Sequence, residues 1–326
     1  MSEIEERFVN LVKQYVQSDA HLIITAEALD EYLEGISAMR LVDILQQIKG
    51  GQWGNTLLHW AALSGNTKLI DTVFKRVSVE QKMELIAEGN DGMTNVLQEA
   101  AGNSRPDTLR YLLDSIPYEW SIALLKHRCS VGDTAVHRAA FSASSVYDAS
   151  VMEILLNHTL SAKELLFQQN LRGFTPLHYA VFYMEDSAIQ VIMSKMANEE
   201  DSKKLLMIKD FSSYSALHLA ATNSSQNVIE SILDPLCRST RRQLLGIVSK
   251  GNLPPKELAK QSERVKNYQL LEFYDSFAGD SRVQEGYAER QAVISPIKGW
   301  FFIHLYAIPV VTLPFLGTTK LVEVDS

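Results

Sequence analysis

Cysteine is almost missing from this chain: Cys129 and Cys237 are the only two in 326 residues. Two thiols cannot make a disulfide framework or a Cys-rich zinc site, and they fit a reducing compartment. Gly (16) and Pro (9) are too few for a collagen-like or low-complexity protein. Positive charge is in deficit, since 31 Lys+Arg against 39 Asp+Glu leaves −8. Such a chain has no electrostatic reason to seek phosphate backbones, so nucleic acid is not expected as a partner. No GxxxxGK[ST], HExxH, GxSxG or kinase signature occurs, so no catalytic, cofactor or metal-ligating residue is assigned and no enzyme is expected. The opening MSEIEERFVNLVKQ carries acids where a secretory signal has a basic start and an apolar run, so a cytoplasmic location is expected. Long apolar runs are confined to one stretch, residues 299–317, which lacks Asp, Glu, Lys and Arg. What remains is globular composition, 46% apolar and 21% charged, which excludes a wholly disordered chain.

One phrase recurs. GNTLLHWAA starts at Gly54, GDTAVHRAA at Gly132, GFTPLHYAV at Gly173 and SYSALHLAA at Ser213. GMTNVLQEAA from Gly92 and GNLPPKELA from Gly251 are weaker copies. The third positions fall at 56, 94, 134, 175, 215 and 253, at spacings of 38, 40, 41, 40 and 38. A short apolar pattern at three- and four-residue steps follows each phrase, as in TKLIDTVFK from Thr67 and QNVIESILD from Gln226. That spacing predicts a helix with one buried stripe. An apolar pair such as Leu85–Ile86 or Leu205–Leu206 precedes each later phrase and predicts an extra helical turn. Units this small cannot bury their apolar faces alone, so neighbours must stack.

The phrase also has a local physical reading. Gly suits a positive-φ turn position, Thr caps the free N–H groups of the following helix, and Pro176 suits a first helical turn. The Ala pair lets helices approach closely.

At G-x-T-x-L-H-x-A-A the chain resembles the ankyrin-repeat family, over roughly residues 50–273. The resemblance implies an all-α solenoid of about six repeats with short β-hairpin-like turns and helical caps, acting as a protein-binding module. The family's usual period is about 33 residues. The longer one here resembles ankyrin effectors that intracellular bacteria deliver into host cells. In the family the motif His bonds hairpin groups and stitches adjacent repeats, which would apply to His59, His137, His178 and His218. Repeat two places Leu97 at the expected His, with Gln98 beside it. A metal site built from these imidazoles is disfavoured, because stacked repeats hold them ~10 Å apart.

The ends divide into residues 1–49, an N-terminal helical cap; 274–293, a linker or short helix; and 294–326, an apolar tail. Residues 299–317 carry Trp300 near one end and are about long enough to span a bilayer, but His304, Pro309 and Pro314 interrupt them. Two readings stand for this tail: a cap packed on the array, or a membrane contact.

In ankyrin arrays the hairpin tips and the end of the first helix line a concave binding face. Here that face would carry Trp53, Met93, Asp133, Phe141, Arg172, Phe174, Phe182, Tyr183, Phe211 and Tyr214. Aromatics with an Arg dominate protein–protein hot spots, so the expected partner is a protein, bound by a monomeric chain. After the motif His stand Trp60, Glu99, Arg138, Tyr179 and Leu219. Glu99 and Arg138 fall in adjacent repeats and are expected to form an ion pair.

Overall fold

The structure is a computed structural model that describes residues 3–17, 26–141, 149–223 and 225–277. These lie in one compact unit, Met1–Ala278. Residues 299–317 lie outside the described residues, and so does most of 274–293. Among the described residues no helix is long and apolar enough to cross a membrane.

The described chain is all helix and turn. A first unit holds α1 (Glu3–Gln17), α2 (Ala26–Leu33) and α3 (Ala38–Gln47). Repeat one holds α4 (Leu57–Ser64), α5 (Thr67–Phe74) and α6 (Val79–Ala87); repeat two holds α7 (Val96–Gly102), α8 (Pro106–Asp114) and α9 (Tyr118–Lys126). Repeat three holds α10 (Ala135–Ala140), α11 (Ser150–His158) and α12 (Ala162–Leu166). Repeat four holds α13 (Pro176–Phe182), α14 (Asp186–Ser194) and α15 (Glu199–Met207). Repeat five holds α16 (Ala216–Asn223), α17 (Gln226–Leu233) and α18 (Arg238–Leu245), and repeat six ends the array with α19 (Pro255–Gln261) and α20 (Val265–Phe277).

Helices this short are unstable alone in water, so packing must hold them. Each first or second helix packs on its counterpart three helices on: α4 on α7, α7 on α10, α5 on α8 and α14 on α17. The N-terminal helices follow the same rule, α1 on α4, α2 on α5 and α3 on α6, so they sit as a further unit of the stack. The close approach comes from buried Ala61–Ala62, Ala100–Ala101, Ala139–Ala140 and Ala220–Ala221. Second helices bury a one-sided stripe, Leu69, Ile70, Val73 and Phe74 in α5. The apolar pairs Leu85–Ile86, Leu124–Leu125, Leu165–Leu166, Leu205–Leu206 and Leu244–Leu245 form the buried side of a third helix in each of repeats one to five. That helix lengthens the period. At the C-terminal end, α20 runs four residues past 273 and buries Tyr274, whose hydroxyl donates to Asp234, so the array extends beyond that expected boundary.

The hairpins correct the register read from the letters. The residues that cap the first helices are 56, 95, 134, 175, 215 and 254, so repeats two and six are aligned one residue later than the Gly-x-Thr phrase suggests. In repeat two the cap is Asn95, not Thr94, and Gln98 occupies the His position itself. Two residues before every cap the backbone is left-handed, at Gly54, Met93, Gly132, Gly173, Ser213 and Asn252. Three of these are not glycine, which costs roughly 1 kcal/mol each. At Gly173 a Cβ would come within 2.7 Å of the Phe211 amide of the next hairpin, so no side chain fits there. Isolated antiparallel bridges, such as Gly50 with Asn55 and Lys209 with Ser215, are the β-like feature of these turns.

Candidate functional site

The hairpins and first helices are pinned by one repeated unit. In repeat one the Thr56 amide donates to His59 Nδ1 (3.3 Å), the Thr56 hydroxyl lies 2.7 Å from the same nitrogen, and the His59 amide donates to Thr56 Oγ1 (3.4 Å). Because Nδ1 accepts a backbone N–H, the ring carries its proton on Nε2, and Nε2–H donates to the Thr94 carbonyl of the next hairpin (2.8 Å). The same pattern runs from His137 to Phe174 O (3.0 Å), His178 to Tyr214 O (3.3 Å) and His218 to Leu253 O (3.3 Å). Gln98 replaces His in repeat two without breaking the ladder: its Oε1 accepts from the Asn95 amide and its Nε2 donates to Asp133 O, both at 3.0 Å.

All four imidazoles are fully buried. Burial, the largest cause, pulls His59, His178 and His218 down to about 4 and lowers His137 as well. They are neutral, and both nitrogens of each are engaged by protein groups. Among the described residues no three His, Cys, Asp or Glu side chains are grouped to hold a metal ion. A second link joins the tips: the amides of Asp91, Ser130, Leu171 and Phe211 donate to the carbonyls of Trp53, Gly92, Val131 and Arg172 at 2.9–3.0 Å.

On this scaffold the residue after the motif His lines the face between hairpin and first helix. Glu99 and Arg138 form the expected ion pair, Arg138 Nη2 to Glu99 Oε2 at 3.1 Å, with Arg138 Nε donating to Gln98 O. Asn103 and Asn90 also donate to the Glu99 carboxylate. A groove of about 420 Å³ lies over this pair, with Trp53, Leu63, Val131 and Phe141 among its walls.

Beyond Phe141 the face becomes aromatic. Phe141 and Tyr183 meet at 4.6 Å between ring centres, and Phe182 meets Tyr183 at 5.1 Å. Tyr179 is the hub beneath them, at 6.1 Å from Phe141, 5.5 Å from Phe174 and 6.1 Å from Tyr183. Its hydroxyl donates to Asp133 Oδ2 (3.2 Å), and Asn170 Nδ2 donates to Asp133 Oδ1 (2.7 Å). Burial first, and then the Asp133 carboxylate, push the Tyr179 phenol well up.

The predicted face residues therefore separate by depth. Phe141, Phe182 and Tyr183 form one patch, each 37–42% exposed. Trp53, Met93, Arg172 and Phe211 stand out on separate hairpins; Phe211, 72% exposed, touches no other ring among the described residues. Phe174 and Tyr214 are half-buried, and Tyr214 pairs with His218 rather than with the patch. Asp133 is buried and spent on Asn170 and Tyr179, so it supports the face from below instead of presenting a charge. Met93 occupies the left-handed turn position, not the one between turn and cap.

Three features escaped the sequence reading. Tyr179 stood directly after its motif His, and only its hydroxyl hinted at a partner. Val131 and Leu171 are exposed apolar residues on the hairpins of repeats three and four. Their position just before the turn glycines was the available signal.

A Ser–His contact elsewhere does not make a nucleophile. Ser121 Oγ lies 2.6 Å from His158 Nε2, but Ser121 is fully buried and its hydroxyl also meets the Tyr118 carbonyl at 2.7 Å.

No protein-family model and no curated protein matches the chain. Among solved structures, the chain is similar to the ankyrin repeat domain of Bcl-3, titled a unique member of the IkappaB protein family. The TM-score is 0.52 at 18% identity, over 83% of this chain and 98% of that domain. The chain thus has the ankyrin-repeat fold.

Proposed function

We propose that this chain is a protein-binding module whose partner docks on the hairpin face of repeats three to five. The observation that carries the reading is the patch of Phe141, Phe182 and Tyr183: three part-exposed rings, Tyr183 touching both of the others, on a scaffold fixed by buried hydrogen bonds. Large aromatics are commonly buried in folded proteins, and contiguous exposed ones mark interaction sites. A preorganised face orders little on binding, which limits the entropy lost. Trp53, Met93, Arg172 and Phe211 extend the contact along the hairpins, Asp133 and Phe174 hold it from beneath, and half-buried Tyr214 lines the next hairpin against His218.

The module acts as a monomer and by binding, without a reaction of its own. The long period, like that of ankyrin effectors of intracellular bacteria, makes a host-cell protein the first partner to seek. The Bcl-3 likeness supports the fold of this reading and no particular partner.

The test is affinity capture from a eukaryotic lysate with the wild type and a Phe182→Ala, Tyr183→Ala variant. Both residues are part-exposed, so the variant should keep its helical signal. A protein held by the wild type and lost by the variant supports the reading. Identical captured sets from the two proteins refute it.

A further inference from the structure

The hairpin edge beside the aromatic patch carries one sign of charge. On the hairpins spanning 127–134, 167–175, 208–215 and 247–254 the exposed charged residues are Arg128, Arg172, Lys209 and Lys250. The acids of these hairpins, Asp133 and Asp210, are buried, and Asp210 Oδ1 accepts the Tyr214 amide at 2.8 Å. None of the four cations lies within ion-pair distance of a carboxylate among the described residues. Lys49, Lys126 and Lys163, on neighbouring elements, are each paired at 2.5–2.7 Å. Arg128 donates to the Gln169 carbonyl and Lys209 to the Val248 carbonyl (2.7 Å). These bonds fix Arg128 and Lys209 along the edge without neutralising them. The first helices α10, α13 and α16 add no acid and one cation, Arg138, already paired with Glu99, while α19 adds half-buried Glu257 beside Lys256 and Lys260.

A chain of net charge −8 thus holds a positive edge next to its exposed aromatics. We infer that the partner segment is an acidic, extended polypeptide, with carboxylates along the hairpin edge and apolar side chains on Phe141, Phe182 and Tyr183. The inference rests on the proposed function and gives its partner a chemistry. Cations that lack counter-charges steer and select an acidic partner. Successive hairpins are about one helix diameter apart, ~10 Å, and an extended chain in the polyproline II conformation advances ~3.1 Å per residue with every third side chain on one face. An acidic residue at every third position therefore meets one hairpin after another. Exposed aliphatic Val131 and Leu171 lie among the cations and match apolar side chains better than a sugar–phosphate backbone.

The test is fluorescence anisotropy of the full chain with labelled synthetic probes. One peptide carries Glu at every third position around a central Phe–Leu pair. A second has Lys for Glu, a third has Ser for Phe and Leu, and an oligothymidylate of equal length is the polyanion control. The Glu peptide should bind best and weaken with added salt. An Arg172→Glu, Lys250→Glu variant should bind it about tenfold or more weakly and should gain affinity for the Lys peptide. Equal binding of Glu and Lys peptides, or no loss in the variant, overturns the inference. So does the absence of peptide binding, or tighter binding of the oligothymidylate. If Phe182→Ala, Tyr183→Ala abolishes binding of both peptides while charge has no effect, the face assignment survives and the acidic partner falls. If neither pair of substitutions matters, both fall.

Discussion

Acid should unfold this array through its buried histidines. In the unfolded chain each imidazole takes a proton near 6.5, whereas His59, His178 and His218 resist it in the fold until about 4. The unfolded state therefore holds more protons throughout that window. Stability falls as pH drops from about 6.5 to about 4 and is flat above the window. By linkage, each of the three costs about 2 kcal/mol at about pH 5 and up to about 3 near pH 4. Together they remove about 6 kcal/mol at about pH 5, a large part of what holds a domain of this kind. Protonation at Nδ1 also expels the acceptor of the cap amide, so helix start and hairpin fail together.

Repeat two supplies the control, because Asn95 and Gln98 build the same link with no titrating group. Installing that pair elsewhere, as Thr56→Asn with His59→Gln and likewise at 175/178 and 215/218, should preserve the ladder at neutral pH. A loss of about 1 kcal/mol per site is expected there, since Asn95 Nδ2 lacks a partner and its copies would too. The acid loss should shrink by about 2 kcal/mol per converted site at about pH 5. Urea unfolding followed by far-ultraviolet circular dichroism across this range reads both quantities. An undiminished pH dependence in the triple conversion would refute the argument.

Other perturbations have defined signs. Arg138→Met leaves the Glu99 carboxylate buried without its counter-charge and should cost about 3 kcal/mol in urea unfolding, most of it recovered by adding Glu99→Met. Gly173→Ala should cost at least about 2 kcal/mol, because φ is +78° and the Cβ meets the Phe211 amide. Ser213→Gly, at the equivalent left-handed position two residues before its cap, should instead raise stability by about 0.5–1 kcal/mol. Tyr179→Phe removes the donor to Asp133 and should cost about 1–2 kcal/mol while broadening the ring resonances of Phe141 and Tyr183 in proton spectra.

The repeat and its three-helix unit were legible because capping, small-residue contacts and apolar periodicity each leave a local mark. Leu205–Leu206 announced a third helix simply because an apolar pair cannot stay in a loop. The register of repeat two was misread because glycine and threonine were matched as letters. Physically, Asn95 with Gln98 does the work of Thr with His, and Met93 bears the positive φ that glycine bears elsewhere. The Glu99–Arg138 pair was legible since one helical position in adjacent repeats brings the two side chains to the same height.

The face itself was read less well. A list of tip residues says which side of the array they are on, but not how deep each one sits. Asp133 is consumed by Asn170 and Tyr179, which lie 37 and 46 residues away along the chain. Such distant partners leave no local trace. The positive edge was hidden for a similar reason: Arg128, Arg172, Lys209 and Lys250 are scattered singly through an acidic sequence, and only stacking aligns them.

The central claim is that the partner sits on the hairpin face. It is tested most directly by placing a benzophenone amino acid at Phe182 in one protein and at Trp120, exposed on α9, in another. Irradiation in lysate should covalently trap the partner from position 182 and not from position 120. Trapping from 120 with none from 182 would move the binding surface to the third helices and contradict the account.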